Sequence, residues 1–260
     1  AVEALDRKKI NTPVSQYTPA LSPSGRTLYY ASWVGKGVDK EIIESDDEDD
    51  PEKFARIFQS QITVEKDREG EEVVEYEDPE PLGVEINRPG YHSTNVALSP
   101  DGRRMFFNRI KLTGNVASEA KIYLSKGGDG AWKSANEVVG INGDYRALQP
   151  VVGELYGKEV LFFVSDMDGG EGGMDIYYAT HQGEGVYGDP VNLGPGINTP
   201  ADEMTPYWFD GTLYFSSDGY PSLGGLDVFY AVWNGTEWSE PNNMGKAYNM
   251  EADELSFRLY

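Results

Sequence analysis

Cysteine is absent from the 260 residues, which excludes disulfides, thiolate nucleophiles and cysteine-ligated zinc. Histidine is nearly absent. His92 and His181 are the only two, and neither stands in a G-x-S-x-G or H-E-x-x-H context, so serine-triad and zinc hydrolysis find no footing. Basic residues are scarce as well: 22 Lys and Arg against 44 Asp and Glu give a formal charge of −22. Such a surface repels phosphate and excludes nucleic acid as a partner; it would suit a basic partner or a divalent cation. No apolar run approaches the roughly 18 residues of a helical membrane span, so no direct membrane insertion is expected. The opening "AVEALDRKK" does not have the form of a secretory leader.

What is abundant points to strands and turns. There are 30 glycines, 15 prolines and 12% aromatic residues, a composition that suits many short strands joined tightly and argues for an all-β chain. A repeat then organises it. Leu28-Tyr29-Tyr30, Met105-Phe106-Phe107, Leu161-Phe162-Phe163 and Leu213-Tyr214-Phe215 occupy one slot, at separations of 77, 56 and 52 residues by subtraction. Each unit closes on a second signature ending in asparagine, which makes Asn87, Asn142, Asn198 and Asn249 equivalent. The units run over about 13–88, 89–143, 144–199 and 200–249, and 250–260 with 1–12 read as a partial fifth.

Each unit reads as four short strands; in the fourth they are "TPYWF", "TLYFSS", "LDVFYAVW" and "TEWSEPNNM", separated by hairpin-type turns. Four-stranded units repeating at this length predict a β-propeller of four complete blades plus a partial fifth, in a single domain spanning 1–260. A β-sandwich with duplicated hairpins is the alternative.

Two phrases recur between second and third strands, "GGMD" at 172–175 and "GGLD" at 224–227. Glycine permits left-handed turns and close approach, and Asp175 and Asp227 are expected to accept hydrogen bonds from loop amides. A calcium site at Asp166, Asp168, Glu171 and Asp175 is the competing reading, because calcium takes six to eight oxygens. The first unit instead carries an acidic insertion at 34–54, with an unbroken run from Asp46 to Asp50. That run suits a solvated loop or a docking site for a basic partner.

The position three or four residues before each inner strand reads Ser15, His92, Arg146, Asp202 and Asp253. In a propeller this position commonly faces the channel mouth, so these five are the candidate partner-binding residues. The neighbouring pairs Asp202/Glu203 and Asp253/Glu254 leave glycoside chemistry open, since it needs two carboxyl groups roughly 5–10 Å apart. No catalytic set is otherwise evident, and the expectation is a chain that is not an enzyme.

"LSPDGRRMFF", "GTLYFSSDGYPSLGGLDVFYA", "NLGPGINTPADEMTPYW" and "NMEADELSF" resemble the PD40 or WD40-like, TolB-like propeller repeats, most closely those of OmpA-family envelope proteins of Bacteroidota. The resemblance covers almost the whole chain. It implies a non-catalytic protein–protein interaction scaffold, periplasmic and associated with the outer membrane, with envelope or secretion-system proteins as partners. It extends to the PorE-like component of the type IX secretion machinery. Peptidoglycan contact would come through a neighbouring OmpA-like domain absent from these residues, and no cofactor is implied. A glycan-binding or glycoside-cleaving propeller is the second reading, and a calcium-stabilised spacer the third.

Overall fold

The computed structural model describes residues 16–33, 54–113, 116–128, 130–250, 252–254 and 257–258. Among them there is no helix and there are four antiparallel sheets. The first contains β1 (Gln16–Leu21), β2 (Thr27–Trp33), β3 (Ala55–Lys66), β4 (Glu72–Tyr76) and β5 (Glu80–Pro81). The second contains β6 (His92–Leu98), β7 (Arg104–Thr113), β8 (Val116–Gly128), β9 (Ala131–Trp132) and β10 (Asn136–Glu137). The third contains β11 (Ala147–Leu155), β12 (Lys158–Ser165), β13 (Asp175–Gly183), β14 (Val186–Tyr187) and β15 (Val191–Asn192). The fourth contains β16 (Glu203–Phe209), β17 (Thr212–Ser217), β18 (Asp227–Val232) and β19 (Asn242–Asn243). Four blades of propeller type are thus present, one per repeat.

The described residues divide into two compact units, one of those up to 119 with 124–136, the other of 120–123 with those from 137 onward. In the first, Leu28, Tyr30 and Phe58 form a buried cluster backed by Ile62 and Tyr76. In the second, Val151, Phe162, Ile176, Ile197, Leu213 and Phe215 belong to a larger core. The second strand of every blade has a central stretch buried on both faces or nearly so. This explains why the sequence spells continuous apolar runs there instead of alternation.

The first strand of every blade carries the same irregularity. Pairing shifts between Tyr17 and Ala20, Thr94 and Ala97, Leu148 and Val151, and Met204 and Tyr207, so two residues face one across the ladder. The first extra residue is left-handed each time: Thr18, Asn95, Gln149 and Thr205 have φ of 45° to 55°. Three of these precede a proline, Pro19, Pro150 and Pro206, and a proline inside a strand is a bulge signal in its own right.

Each terminal asparagine acts as a backbone surrogate. Asn198 Oδ1 accepts the Ile176 amide at 2.9 Å while its Nδ2 donates to Ile176 O at 2.9 Å. Asn87 does the same to Ile57, Asn142 to Ile122 and Asn249 to Val228. The equivalence read from sequence is therefore a hydrogen-bonded clamp on the third strand.

One expectation changes, and two fall wholly or partly outside the described residues. The fourth strand is not continuous: β19 has two residues, because Pro241 cannot donate to a ladder. The acidic insertion lies outside the described residues except for Phe54. The partial fifth blade is not confirmed: residues 1–12 lie outside the described residues, and among the described residues 252–254 and 257–258 form no strand.

Candidate functional site

The repeated "GGxD" loops are built as latches. Asp175 heads β13, and its Oδ2 accepts the Glu171 amide at 2.5 Å and Asn192 Nδ2 at 2.9 Å. Asp227 heads β18 and accepts the Leu223 amide at 2.8 Å and Asn243 Nδ2 at 2.9 Å. Both carboxylates are buried, and both leave Oδ1 buried without a partner. Asn192 and Asn243 in turn accept Nδ2 of the clamping Asn198 and Asn249, each at 2.8 Å.

The glycines face the next repeat. A Cβ on Gly173 would fall on Asp202 Oδ1, and one on Gly225 on Asp253 Oδ1. Asp202 Oδ1 accepts the Met174 amide at 2.8 Å, and the Glu203 amide returns a bond to Met174 O at 2.7 Å. Asp253 and Glu254 repeat this against Leu226, at 3.0 and 2.7 Å. Asp202/Glu203 thus fastens the start of β16 to the loop of the third blade, and Asp253/Glu254 fastens the segment after β19 to the loop of the fourth.

The candidate residues are therefore engaged locally. Ser15 lies outside the described residues. His92 is buried between the rings of Trp33 (4.9 Å) and Phe54 (5.2 Å) and accepts the Ala55 amide on Nδ1 at 3.1 Å; burial lowers its pKa and keeps it neutral. Arg146 reaches Asp166 through its amide and its Nε, both at 2.8 Å. Burial pushes the Asp166 carboxyl up, but the bonds and charge of Arg146 outweigh it and hold the group below its ordinary range.

The four acidic residues considered for calcium are not gathered. Asp166 faces Arg146 and Asp175 is turned to the loop amide and Asn192. Among the described residues no group of three or more His, Asp or Glu side chains is placed to hold a metal. Glu203 is no surface acid either: it is fully buried and accepts the Thr199 amide (2.7 Å), Thr199 Oγ1 (2.7 Å) and Ser217 Oγ (2.6 Å).

An aromatic surface in the second unit was not singled out from sequence. The two-residue loop Tyr156-Gly157 joins β11 to β12 with φ of 54° and 68°, the type I′ geometry that favours Asn-Gly or Asp-Gly. The matching β16–β17 loop is indeed Asp210-Gly211. Tyr156 is instead a bulky residue in the left-handed region, where such residues are outliers, and it is 59% exposed. Its ring meets Trp233 edge-on at 4.9 Å. Trp233 contacts Trp238 at 5.1 Å, and Trp238 contacts Trp208 at 6.1 Å. All three tryptophans are partly exposed and packed on the core below. Tyr178 joins them: burial raises its pKa, and the neighbouring Tyr156 raises it further. The available signal was a tyrosine before glycine where a turn calls for asparagine or aspartate.

Comparison with family models and with curated proteins gives no match. Solved structures do match at low identity. A protein assigned as TolB from Agrobacterium tumefaciens is 16% identical, with 94% of this chain and 87% of that chain covered and a TM-score of 0.42. An α-L-arabinofuranosidase from Lactobacillus brevis is 11% identical, covering 90% and 75%, with a TM-score of 0.48. A thermostable family-43 glycoside hydrolase is 12% identical, covering 91% and 74%, with a TM-score of 0.49. The chain spans under half of other matched structures, 45% of a Hadza microbial sialidase and 39% of a Trypanosoma rangeli sialidase. The fold is all-β, with four blades of propeller type. The expectation that the chain is not an enzyme is corrected here: the matched structures are mostly enzymes, and non-catalysis is not carried forward.

Proposed function

We propose that this chain recognises a glycan through the aromatic surface of its third and fourth blades. The observation that carries this reading is Tyr156, held exposed in a backbone conformation that its residue type disfavours. A turn residue selected for stability alone would be Asn or Asp. A pyranose ring presents a face of polarised C–H groups, which the negative face of an indole or phenol attracts as it does the edge of another ring. Exposed Asn234 and Thr236 beside Trp233 offer polar groups to sugar hydroxyls. The resemblance to OmpA-family propellers adds a periplasmic, outer-membrane-associated setting, with envelope or secretion-system proteins as neighbours.

The test is a glycan array followed by titration of tryptophan fluorescence with each hit, for the parent and for Tyr156→Asn. Asparagine suits the left-handed turn, so relief of about 1–2 kcal/mol of backbone strain offsets the loss of about 0.5–1.5 kcal/mol of ring contact. The variant should melt within a few degrees of the parent yet bind about tenfold more weakly or worse. Equal binding by both would remove the aromatic surface from the reading, and an empty array would remove glycan recognition. Each hit should also be incubated with the protein and assayed for released reducing sugar.

A further inference from the structure

Building on the glycan reading, we infer that this surface selects uncharged sugars and rejects those bearing carboxylate or sulfate. The turns that present the rings are predominantly acidic. Exposed Glu154 lies two residues before Tyr156, exposed Asp210 belongs to the loop whose Gly211 carbonyl accepts the Trp233 amide at 2.8 Å, and exposed Glu237 adjoins Trp238. Lys158 is the lone cation in these turns. Three carboxylates against one ammonium sit within a chain of net charge −22. At low salt, where the Debye length is about 30 Å at 0.01 M, an anionic sugar stacked on Tyr156 or Trp233 would be repelled by this acidic excess. No arginine stands in these turns to form the bidentate pair with which proteins hold carboxylates and sulfates. The ring faces themselves also present negative charge density, which an anion does not relieve. A neutral ring meets none of these penalties.

The experiment uses the intact chain and matched pairs of oligosaccharides with the same backbone and length, one neutral and one with a carboxyl group at C6, read by tryptophan fluorescence. At low salt the neutral member should bind at least about tenfold more tightly. The gap should narrow at about 0.5 M NaCl, where screening is strong, and it should narrow at low salt in the double variant Glu154→Gln/Glu237→Gln. Equal or tighter binding of the acidic member at low salt would overturn the selectivity while leaving glycan recognition in place. Failure of both members and of every array sugar would overturn recognition itself.

Discussion

Glu203 shows how one residue can look chemical in sequence and prove structural. Its carboxylate is fully buried and collects three donors from Thr199 and Ser217, yet its pKa is raised. Burial is the largest cause; the three hydrogen bonds oppose it, and Asp175 adds to it. A group whose folded pKa exceeds its unfolded value stabilises fully below the unfolded value, 4.5 here, and loses that contribution as pH rises through the folded one. Glu203→Gln removes this titration while keeping the side chain's size and an accepting oxygen. The stability of the parent minus that of the variant, from urea unfolding, should therefore fall as pH rises above the ordinary carboxyl value of 4.5. A difference that grew with pH would mean that the hydrogen bonds outweigh burial.

At the scale of elements, the latch between blades explains the recurrence of "GGxD" and "DE" together. Gly173 exists where a Cβ would strike Asp202, and Asp202 exists to accept the Met174 amide. Gly173→Ala should cost about 1–3 kcal/mol through crowding, and Asp202→Ala about 1–3 kcal/mol through the orphaned amide. Once Asp202 is truncated, the alanine methyl has room. The double variant should consequently fall short of the sum by about 0.5–3 kcal/mol, the range for residues in contact. Additivity within about 0.5 kcal/mol would show that the two do not share a latch.

The strands themselves were legible, because Leu161-Phe162-Phe163 is buried on both faces and its counterparts, all buried except the half-buried Tyr214, recur in register. So was the equivalence of the four asparagines, although not their bonding, since a side chain that mimics a strand partner has no spacing rule of its own. The carboxylates misled. A "DE" before a strand has the composition of a catalytic pair, and only the positions of Met174 and Thr199 show that its oxygens are already occupied. Tyr156 was hidden for another reason: its meaning comes from φ, and the sequence displays just a tyrosine before a glycine.

For the whole molecule, the excess of acid is the dominant long-range term. A net charge of −22 opposes compaction through self-repulsion. The described ion pairs include Lys121–Glu137 at 3.1 Å and Arg146–Asp166 at 2.8 Å, all four side chains partly solvated. Exposed pairs of this kind contribute about 0–1 kcal/mol each, so screening them sacrifices little. Screening the repulsion gains more, because it acts on every pair of carboxylates closer than the Debye length, which shrinks from about 30 Å at 0.01 M to about 3 Å at 1 M. The melting temperature should accordingly rise as NaCl is raised from about 0.01 to about 0.5 M. Affinity for a neutral glycan should stay level over the same range, since stacking carries no net charge. A melting temperature that fell with salt would show that attractive pairs outweigh the repulsion. A glycan affinity that changed in step with it would show that charge, and not the ring faces of Tyr156 and Trp233, governs recognition.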